Sequence, residues 1–506
     1  MNTAEFMSSL SERGVRFSYD GERLKYEAPP GELKPLDFEQ LKARKTEIIT
    51  LTDWPKFRVS QIMTTPRSEV STPSREQAGW WHSITTGHIT GTDWMNMTAT
   101  MRLYGDLDTQ VLEQAAAAVL TRHDILRSRF TESRGRLQMH ISEQSSVQIE
   151  VADLSHISEP EARVAEARKL GTEFRRIPFS MLTEQLVRMK LFRLSPTDHV
   201  LVVTVHHILV DAESIRKIVV ELLAIYQSYV TGTPSGIEKK PALQYTDYAA
   251  WQNAWMTDER QAYFLQAMKT RLSEPLVFPE DPAATPAGKK VQCPFVLSNE
   301  LMDAIGVFAK KLGTTKYLVI LTALAMALSK WVGQSKVQLA SVGNLRINEQ
   351  LVDMVGPFAA FDLLCADLSN VGSFDEAVAR VHRAFSESQD NRAYAPSTEY
   401  KSLVNVFVDY VPAPDSRVAG GGDATAPSNP LTANSLPMKT DTFPLLPKTE
   451  DALSQWALIV IAGETQGRVS GSFVFSLARF GRETVEKAIS RFQALLQDNV
   501  SQQRPR

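Results

Sequence analysis

The 506-residue sequence is 43% hydrophobic and 22% charged, an ordinary globular composition with room for two to four structural units. A net charge of −3 gives no electrostatic footprint for nucleic acid or an anionic membrane, and no apolar run reaches membrane-spanning length. Two cysteines, Cys293 and Cys365, are too few for a disulfide framework. The low number of cysteines and the lack of a signal-peptide pattern at the N-terminus favour a cytoplasmic protein.

The first 52 residues predict a small separate module. Residues 4–12 have helical spacing, and a second helical pattern runs over 36–51. Between them, residues 15–19 and 24–28 alternate apolar and polar side chains around Asp20-Gly21, which predicts a hairpin. So small a unit makes a poor core, which favours a binding role; an extension that merely packs on the main body is the alternative. The polar stretch over 53–70 is typical of a linker.

The most informative segment is LVVTVHHILVDAES over residues 201–214. Its apolar, β-branched run predicts a buried strand that ends at His206 and His207, and helical spacing begins after a cap at Ser214. Two imidazoles therefore lie at a strand end, close to the carboxylate of Asp211. If the histidine pair is considered alone, a histidine packed and hydrogen-bonded in the core is the commoner explanation. A metal site is disfavoured, because the sequence has neither the i, i+4 histidine pair of a zinc helix nor a Cys or Glu cluster.

This segment resembles the HHxxxDG signature of nonribosomal peptide synthetase condensation domains, and other motifs follow in the family's order. RHDILRSRF over 122–130 is similar to RHExLRTxF, and YTDYAAWQ over 245–252 is similar to YxDYAxWQ. GNLR over 343–346 and DMVGPF over 353–358 resemble the GR…VGxF stretch. FSLARFGRET over 475–484 resembles the closing YNxxLFxxET segment. Ordered matches from about Ser71 to Leu496 are more specific than HHxxxD alone.

The resemblance implies an α/β fold of two chloramphenicol-acetyltransferase-like lobes, arranged as a V around a central tunnel. We expect the first lobe over 71–236 and the second over 237–506, with a flexible loop over 412–446. The N-terminal module resembles the β-hairpin docking domains that begin some synthetase subunits. Such domains bind the C-terminal linear motif of an upstream acyl or peptidyl carrier protein. The candidate docking residues are Arg16, Phe17, Arg23 and Lys25.

The same resemblance assigns roles by position. His207 maps onto the catalytic histidine, which would accept the proton of the nucleophile, and His206 would support the loop. Asp211 would be structural, with Arg346 as its partner. The backbone N–H of Ala212, which replaces the signature's glycine, is available to an oxyanion.

The implied function is that of a stand-alone condensation enzyme, most similar to chain-releasing enzymes of the enacyloxin type. It would transfer an acyl chain from a carrier's thioester to the hydroxyl or amine of a small soluble acceptor, and release an ester or amide. We expect no tightly bound cofactor, because the carrier's phosphopantetheine arm would deliver the donor, and neither nucleic acid nor membrane as partner. Ala360-Phe361 replaces the family's Asn-Thr after VGxF, which bears on the substrate more than on the reaction.

Several interpretations remain open. The chain could form a peptide bond between substrates on two carriers, or it could be a catalytically silent recruitment module. An acetyl-coenzyme A acyltransferase shares the HHxxxD pattern, but the docking module argues against a diffusible donor. The sequence has no adenylation signature. GGGDAT over 420–425 is similar to a carrier's GGxS site only in its glycines, so we expect a loop there.

Overall fold

The computed structural model describes residues 3–19, 23–53, 60–66, 68, 70–87, 95–143, 147–237, 240–272, 274–285, 289–390, 404–411, 440–442, 456–465 and 467–500. The predicted turn at Asp20-Gly21, the segment over 420–425 and most of the loop predicted over 412–446 lie outside these ranges.

The N-terminal module combines a hairpin with three short helices. Its elements are α1 (Thr3–Glu12), β1 (Arg16–Tyr19), β2 (Leu24–Glu27), α2 (Pro35–Ala43) and α3 (Lys45–Thr52). β1 and β2 pair antiparallel with Arg16 opposite Glu27, so the predicted hairpin is confirmed. The second predicted helix is in fact two helices, α2 and α3, which meet at Arg44. Pro35 is the first residue of α2. A backbone N–H at that position would have no acceptor within the helix, so proline's missing N–H costs no hydrogen bond there.

The first lobe is built on a five-stranded sheet with the order β14-β4-β9-β8-β7, in which β14 is Thr440–Thr442. Four of these strands are β4 (Asn96–Tyr104), β7 (Ile149–Asp153), β8 (Val187–Ser195) and β9 (Asp198–His206). A three-stranded sheet lies beside it, made of β3 (Val70–Ser71), β5 (Ser128–Ser133) and β6 (Arg136–Ile141). Helices cover both faces: α5 (Thr109–Arg122) and α7 (Ala212–Thr231) on one, and α6 (Pro160–Arg176) on the other.

The second lobe is built on a six-stranded sheet with the order β10-β16-β15-β13-β11-β12. The strands are β10 (Lys290–Leu297), β11 (Lys336–Asn344), β12 (Ala359–Asp367), β13 (Val406–Val411), β15 (Leu458–Thr465) and β16 (Arg468–Ser476). One face of this sheet is covered by α10 (Asn299–Lys311), α11 (Lys316–Val332), α12 (Phe374–Asp390) and α13 (Arg482–Val500). The α/β fold with two lobes after a docking-type module is confirmed. The through-tunnel stays a prediction.

Three further helices connect the lobes with the module: α4 (Arg75–Thr85), α8 (Tyr245–Trp255) and α9 (Asp258–Arg271). α8 places Tyr245 and Tyr248 in the core of the first lobe, together with Phe358 from beyond β11. The apolar cores therefore do not divide at residue 237, because segments C-terminal to it complete the first lobe.

Strand β14 (Thr440–Thr442) crosses between the lobes. It pairs antiparallel with Met101–Leu103 of β4, at the edge of the first lobe's sheet. The prediction of a flexible loop through residue 446 is therefore wrong for these three residues. A three-residue strand has too short a pattern to be recognised in sequence, and pairing with β4 supplies the hydrogen bonds that order it.

The segment over 53–70 is held to the body at several described residues, which corrects the prediction of a loose linker. Ile62 is 1% exposed in the first lobe's core, and its backbone N–H and C=O bond the side-chain amide of Gln350. The N–H and hydroxyl of Thr65 both donate to Asp247 at 2.8 Å. These partners lie far along the chain, so local polarity alone gave the wrong expectation.

The docking-type module shares its apolar core with α9. Phe6, Met7 and Leu10 of α1 pack against Tyr263 and Phe264 of α9. At the start of α9, the guanidinium of Arg260 donates to the carbonyl of Thr50, and at the end of α8 the indole N–H of Trp255 donates to Asp53 at 2.7 Å. The module is therefore packed on the main body, as the alternative of a packing extension required. Its strand β2 keeps an exposed face, as a binding role requires.

Among the helices that the described residues form, none is by itself both long enough and apolar enough to cross a bilayer. α10 and α11 reach that length and composition only as a pair, and they meet at an angle of 101°.

Candidate active site

The two histidines lie at the end of the central strand β9. Apolar side chains of β9 pack on both faces of the sheet, which is why the sequence reads as a continuous hydrophobic run. Pairing with β4 runs through Asn96 opposite His206, and the next residue, His207, donates its backbone N–H to the carbonyl of Met95 at 2.6 Å. The chain then turns and enters α7, whose cap is Asp211. The predicted strand end, loop and helix are confirmed, with the cap at Asp211 rather than Ser214.

The ring of His207 is held in one tautomer. Its Nδ1 lies 2.7 Å from the carbonyl oxygen of Val210. A carbonyl can only accept, so Nδ1 carries the proton and Nε2 of the neutral ring carries the lone pair. The side chain is half-buried, in contrast to its neighbours on either side. This arrangement is that of a general base whose basic nitrogen is Nε2.

Trp80 of α4 packs against the His207 ring, with centroids 5.4 Å apart and planes at 34°. Ser74 and Gln77 form a capping box at the start of α4, and Gln77 also donates to the carbonyl of Ile208 at 3.0 Å. One helix end therefore fixes both the indole and the loop that carries His207. Trp80 was not predicted from the sequence; the S-x-x-Q capping box before a Trp-Trp pair was the available signal.

His206 is buried and neutral. Its side chain is 1% exposed, and its Nδ1 accepts a hydrogen bond from the N–H of Ile208 at 3.1 Å. Burial lowers the pKa of His206 to about 3, and the neighbouring His207 adds to the effect. The ring also makes an edge contact with Phe179 at 6.0 Å. A group that stays neutral and points into the core can shape the loop, which agrees with the supporting role expected for it.

Asp211 and Arg346 form a buried ion pair between the first lobe and the segment after β11. The guanidinium donates to both carboxylate oxygens, at 2.6 and 3.2 Å, and the side chains of Arg346 and Asp211 are 4% and 7% exposed. The N–H groups of Ser214 and Phe358 also donate to Asp211, at 2.8 and 3.2 Å. Burial acts to raise the pKa of Asp211, but Arg346 and the Ser214 N–H outweigh it and hold the pKa below the usual range. The carboxylate is fully occupied by donors that hold the loop.

Ser214 and Gly356 join the two segments at a second point, which the sequence did not reveal. The Ser214 hydroxyl donates to the Gly356 carbonyl at 2.8 Å and accepts from the Gly356 N–H at 3.0 Å and from Arg346 at 2.8 Å. A Cβ on Gly356 would lie 2.0 Å from a ring carbon of Tyr245. Glycine is therefore required here by close packing.

Ala212 is the first residue of α7 and is exposed. Within the described residues, the non-glycine positions with positive φ are Arg134 and Asn370, so residue 212 does not need glycine's conformational freedom. Alanine is therefore compatible with this backbone. The N–H of Ala212 lies in the first turn of the helix, where the partial positive charge of the helix dipole favours negative charge.

The four candidate docking residues have different surroundings. Arg16 lies 3.7 Å from Glu387 of α12, so it already pairs with the second lobe, and Phe17 is partly buried in the module's own core. Arg16 and Phe17 therefore have partners within the chain, and their contact with a bound tail stays a prediction. Arg23 and Lys25 are exposed beside and on β2, as docking residues would be. In the described part of the chain, β2 pairs with β1 alone, which leaves its outer edge as a place for another strand.

Across the described residues, no group of three or more His, Cys, Asp or Glu side chains is placed to hold a metal ion. The candidate site is instead a base, His207, with its ring fixed by Trp80 and a backbone carbonyl. Its loop is closed by the Asp211–Arg346 pair.

Two known protein families match this chain, and together they cover the docking-type module and most of the two lobes. The condensation domain model matches residues 76–407, and the TubC N-terminal docking domain model matches residues 4–51. The chain therefore belongs to the condensation domain family, whose members catalyse acyl transfer with formation of an amide or ester bond. Its N-terminal module is a docking domain of the TubC type.

Curated relatives are long synthetases. A linear gramicidin synthase component of Brevibacillus parabrevis is 26% identical over 425 residues, which cover 79% of this chain and 8% of that protein. Phosphinothricin tripeptide synthetase PhsC of Streptomyces viridochromogenes is 28% identical over 300 residues, which cover 58% of this chain and 27% of that protein. The chain thus spans well under a third of the length of either relative.

Solved structures share the fold over the whole chain. A structure that describes condensation domain-mediated chain release from the enacyloxin polyketide synthase has a TM-score of 0.69 at 22% identity and covers 100% of this chain and 97% of its own. The EpoB cyclization-docking bidomain of Sorangium cellulosum has a TM-score of 0.64 at 18% identity, with coverage of 100% and 99%. Both likenesses extend over the docking domain as well as the two lobes.

Proposed function

We propose that this chain is an acyltransferase that docks on a carrier protein and transfers its thioester-bound polyketide or peptidyl chain to a small acceptor. The acceptor supplies a hydroxyl or an amine, and the product leaves as an ester or amide. The observation that carries the proposal is the half-buried imidazole of His207, with Nδ1 bound to the Val210 carbonyl and Nε2 left as the basic nitrogen. Membership of the condensation domain family supports the reaction class.

The reaction follows from that tautomer. The acceptor's oxygen or nitrogen attacks the thioester carbonyl while its proton passes to Nε2 of His207, and a tetrahedral oxyanion forms. The C–S bond then breaks as the carbonyl re-forms, and the imidazolium returns the proton to the departing thiolate. An alcohol needs this base more than an amine does, because a neutral hydroxyl is a weak nucleophile until it loses its proton.

The remaining candidate residues act through position. The Ala212 N–H, at the N-terminus of α7, would stabilise the oxyanion if the carbonyl oxygen turns toward the helix. The Asp211–Arg346 pair holds the loop and is not available as a base, since Arg346 and two backbone N–H groups occupy the carboxylate. This division of roles favours a catalyst over a silent recruitment module, in which a fixed tautomer at His207 would have no use.

The donor would arrive on the phosphopantetheine arm of an upstream carrier, captured by the docking domain. The β2 edge can accept the carrier's C-terminal segment as an added strand, with Arg23 and Lys25 favouring an acidic sequence. Beside this edge, Tyr26, Leu36 and Phe38 are 49%, 66% and 44% exposed, and the Tyr26 and Phe38 rings lie 6.1 Å apart. These apolar side chains would give the captured segment its pockets.

The test uses an acyl-loaded carrier, a panel of soluble amines and alcohols, and intact-mass measurement of the carrier. His207→Ala is expected to keep its fold and lose transfer by about 10²–10⁴-fold. The matched control is His156→Ala, which removes an exposed histidine of the first lobe. Transfer at the wild-type rate by His207→Ala would end the base assignment. Turnover only with a carrier-bound acceptor would instead favour peptide-bond formation between two carriers.

The docking step is tested in the same assay with Lys25→Glu. We expect a higher KM for the carrier-bound donor and an unchanged rate with a small soluble thioester, because the charge change affects capture alone. Point variants are preferable to deletion of residues 1–52, since that deletion would uncover Tyr263 and Phe264 of α9. An equal effect of Lys25→Glu on both donors would contradict docking at β2.

A further inference from the structure

Four aromatic rings run from His207 into the second lobe, and we call them the aromatic wall: Trp80, Phe361, Phe407 and Trp456. Trp80 contacts His207 in the first lobe and lies 6.5 Å from Phe361 on β12. Phe361 in turn lies 5.8 Å from Phe407 and 6.4 Å from Trp456, which stack on each other at 5.1 Å. The rings therefore form a continuous apolar surface across the junction of the lobes.

Part of this wall is open to solvent. Phe361 pairs directly with Val342 of β11, so the two side chains share one face of the sheet. Phe361 is half-buried and Val342 is 45% exposed, whereas Leu364 on the opposite, helix-covered face is 1% exposed. Ile461 of β15, on the same face as buried Ile459, is 39% exposed. Among the described residues, Val342 beside Phe361 thus leaves apolar surface exposed, and Ile461 does so two strands beyond β11 in the same sheet.

The wall and the docking domain lie on one flank of the molecule. α9 packs Tyr263 and Phe264 into the docking domain's core. Further along the same helix, Met268 packs into the cluster that holds Trp456, together with Leu272 just beyond the helix end. A carrier captured by the docking domain would therefore present its acyl chain from the side on which the wall lies. This placement favours the acyl donor over the acceptor as the group that meets the wall.

We infer that Phe361 and the open part of the aromatic wall bind the apolar portion of the acyl donor next to the thioester. The inference rests on the proposed acyl transfer at His207 and adds the substrate class: a donor whose chain is apolar beside the reacting carbonyl. Trp80, at 6% exposed, mainly holds the His207 ring, whereas half-buried Phe361 has ring surface to offer. Aromatic faces and edges also suit unsaturated or aromatic chains.

The experiment compares octanoyl- and acetyl-loaded carrier, with one acceptor, for wild type and Phe361→Ala. We expect wild type to prefer octanoyl, and Phe361→Ala to lose about ten- to hundredfold in kcat/KM for octanoyl, because the apolar contact is removed. The rate with acetyl should change by less than about twofold, since acetyl is too short to reach the ring. Phe361→Leu, which keeps an apolar side chain, should recover most of the octanoyl rate.

The matched control is Phe385→Ala. Phe385 is also half-buried in the second lobe, but it packs on Tyr317 on the helix-covered side of the sheet. It should leave the ratio of octanoyl to acetyl rates as in wild type. An unchanged ratio in Phe361→Ala, with wild type active, would overturn the inference while the proposed function stands. Failure of wild type with both donors, across the whole panel of amines and alcohols used to test the proposed function, would instead overturn the proposed function.

Discussion

Replacement of Arg346 by methionine tests how the active-site loop is closed. The change leaves Asp211 buried at 7% exposure with only the N–H groups of Ser214 and Phe358 as donors, at 2.8 and 3.2 Å. Removing one partner of a buried pair strands the other charge and typically costs about 3–5 kcal/mol. We therefore expect Arg346→Met to lower the free energy of unfolding by about that amount at pH 8.

The loss should depend on pH with a defined sign. In wild type, the pKa of Asp211 is below its unfolded value, so its stabilising effect is present above that value and is lost as pH falls through the folded pKa. Without Arg346, we expect burial, the largest single influence on this carboxylate, to raise the pKa above the unfolded value of about 3.9. The folded variant then gains a proton more readily than its unfolded chain, so its deficit should shrink between pH 8 and pH 5.

The assay is urea unfolding followed by tryptophan fluorescence at both pH values. Lys487→Met removes one partner of a solvent-exposed pair with Glu483 and should leave the unfolding midpoint unchanged. The double variant Asp211→Asn/Arg346→Met removes both charges and should recover much of the loss. A deficit that stays constant or grows on acidification would refute an uncompensated carboxylate as its cause.

Two further variants test the neighbouring packing. The pKa of His206 is about 3 in the folded state and about 6.5 in the unfolded state, so between these pH values the unfolded state binds one more proton and acid destabilises wild type by up to about 1.4 kcal/mol per pH unit. His206→Gln should remove this contribution from the pH dependence of the free energy of unfolding over pH 4–6. An unchanged pH dependence would contradict a neutral buried ring. Gly356→Ala would place a Cβ 2.0 Å from Tyr245 and should lower the free energy of unfolding, measured in urea, by about 1–3 kcal/mol. The control Gly372→Ala, in which the nearest atom to the new Cβ is 3.7 Å away, should lower it far less. Equal losses of stability would show that close packing at residue 356 is unimportant.

The sequence predicted the parts of the site that depend on local pattern. β9 is recognisable because its apolar run is buried on both faces, and α7 because helical spacing follows at once. The motif order then placed Arg346 as the partner of Asp211, although 135 residues separate them, and the ion pair has the expected geometry.

The missed features depend on contacts between distant segments. Trp80 meets His207 across 127 residues of chain, and the capping box before it indicates only where a helix starts. Gly356 looks like a turn glycine in sequence, yet its role comes from the ring of Tyr245. The segment over 53–70 has the polarity of a linker, but Ile62 and Thr65 gain their order from Gln350 and Asp247. Periodicity carries no information about such partners.

The common core of the docking domain and α9 has a consequence for recombining synthetase subunits. A cassette cut at residue 52 would carry Phe6, Met7 and Leu10 to a new host without Tyr263 and Phe264, the surface that they fit. The protein from which the cassette was taken would expose Tyr263 and Phe264 to solvent, and the new host would have no complementary surface for α1. Chimeras that alter partner choice should therefore graft the β2 edge alone, or transplant the matching side of α9 together with the cassette.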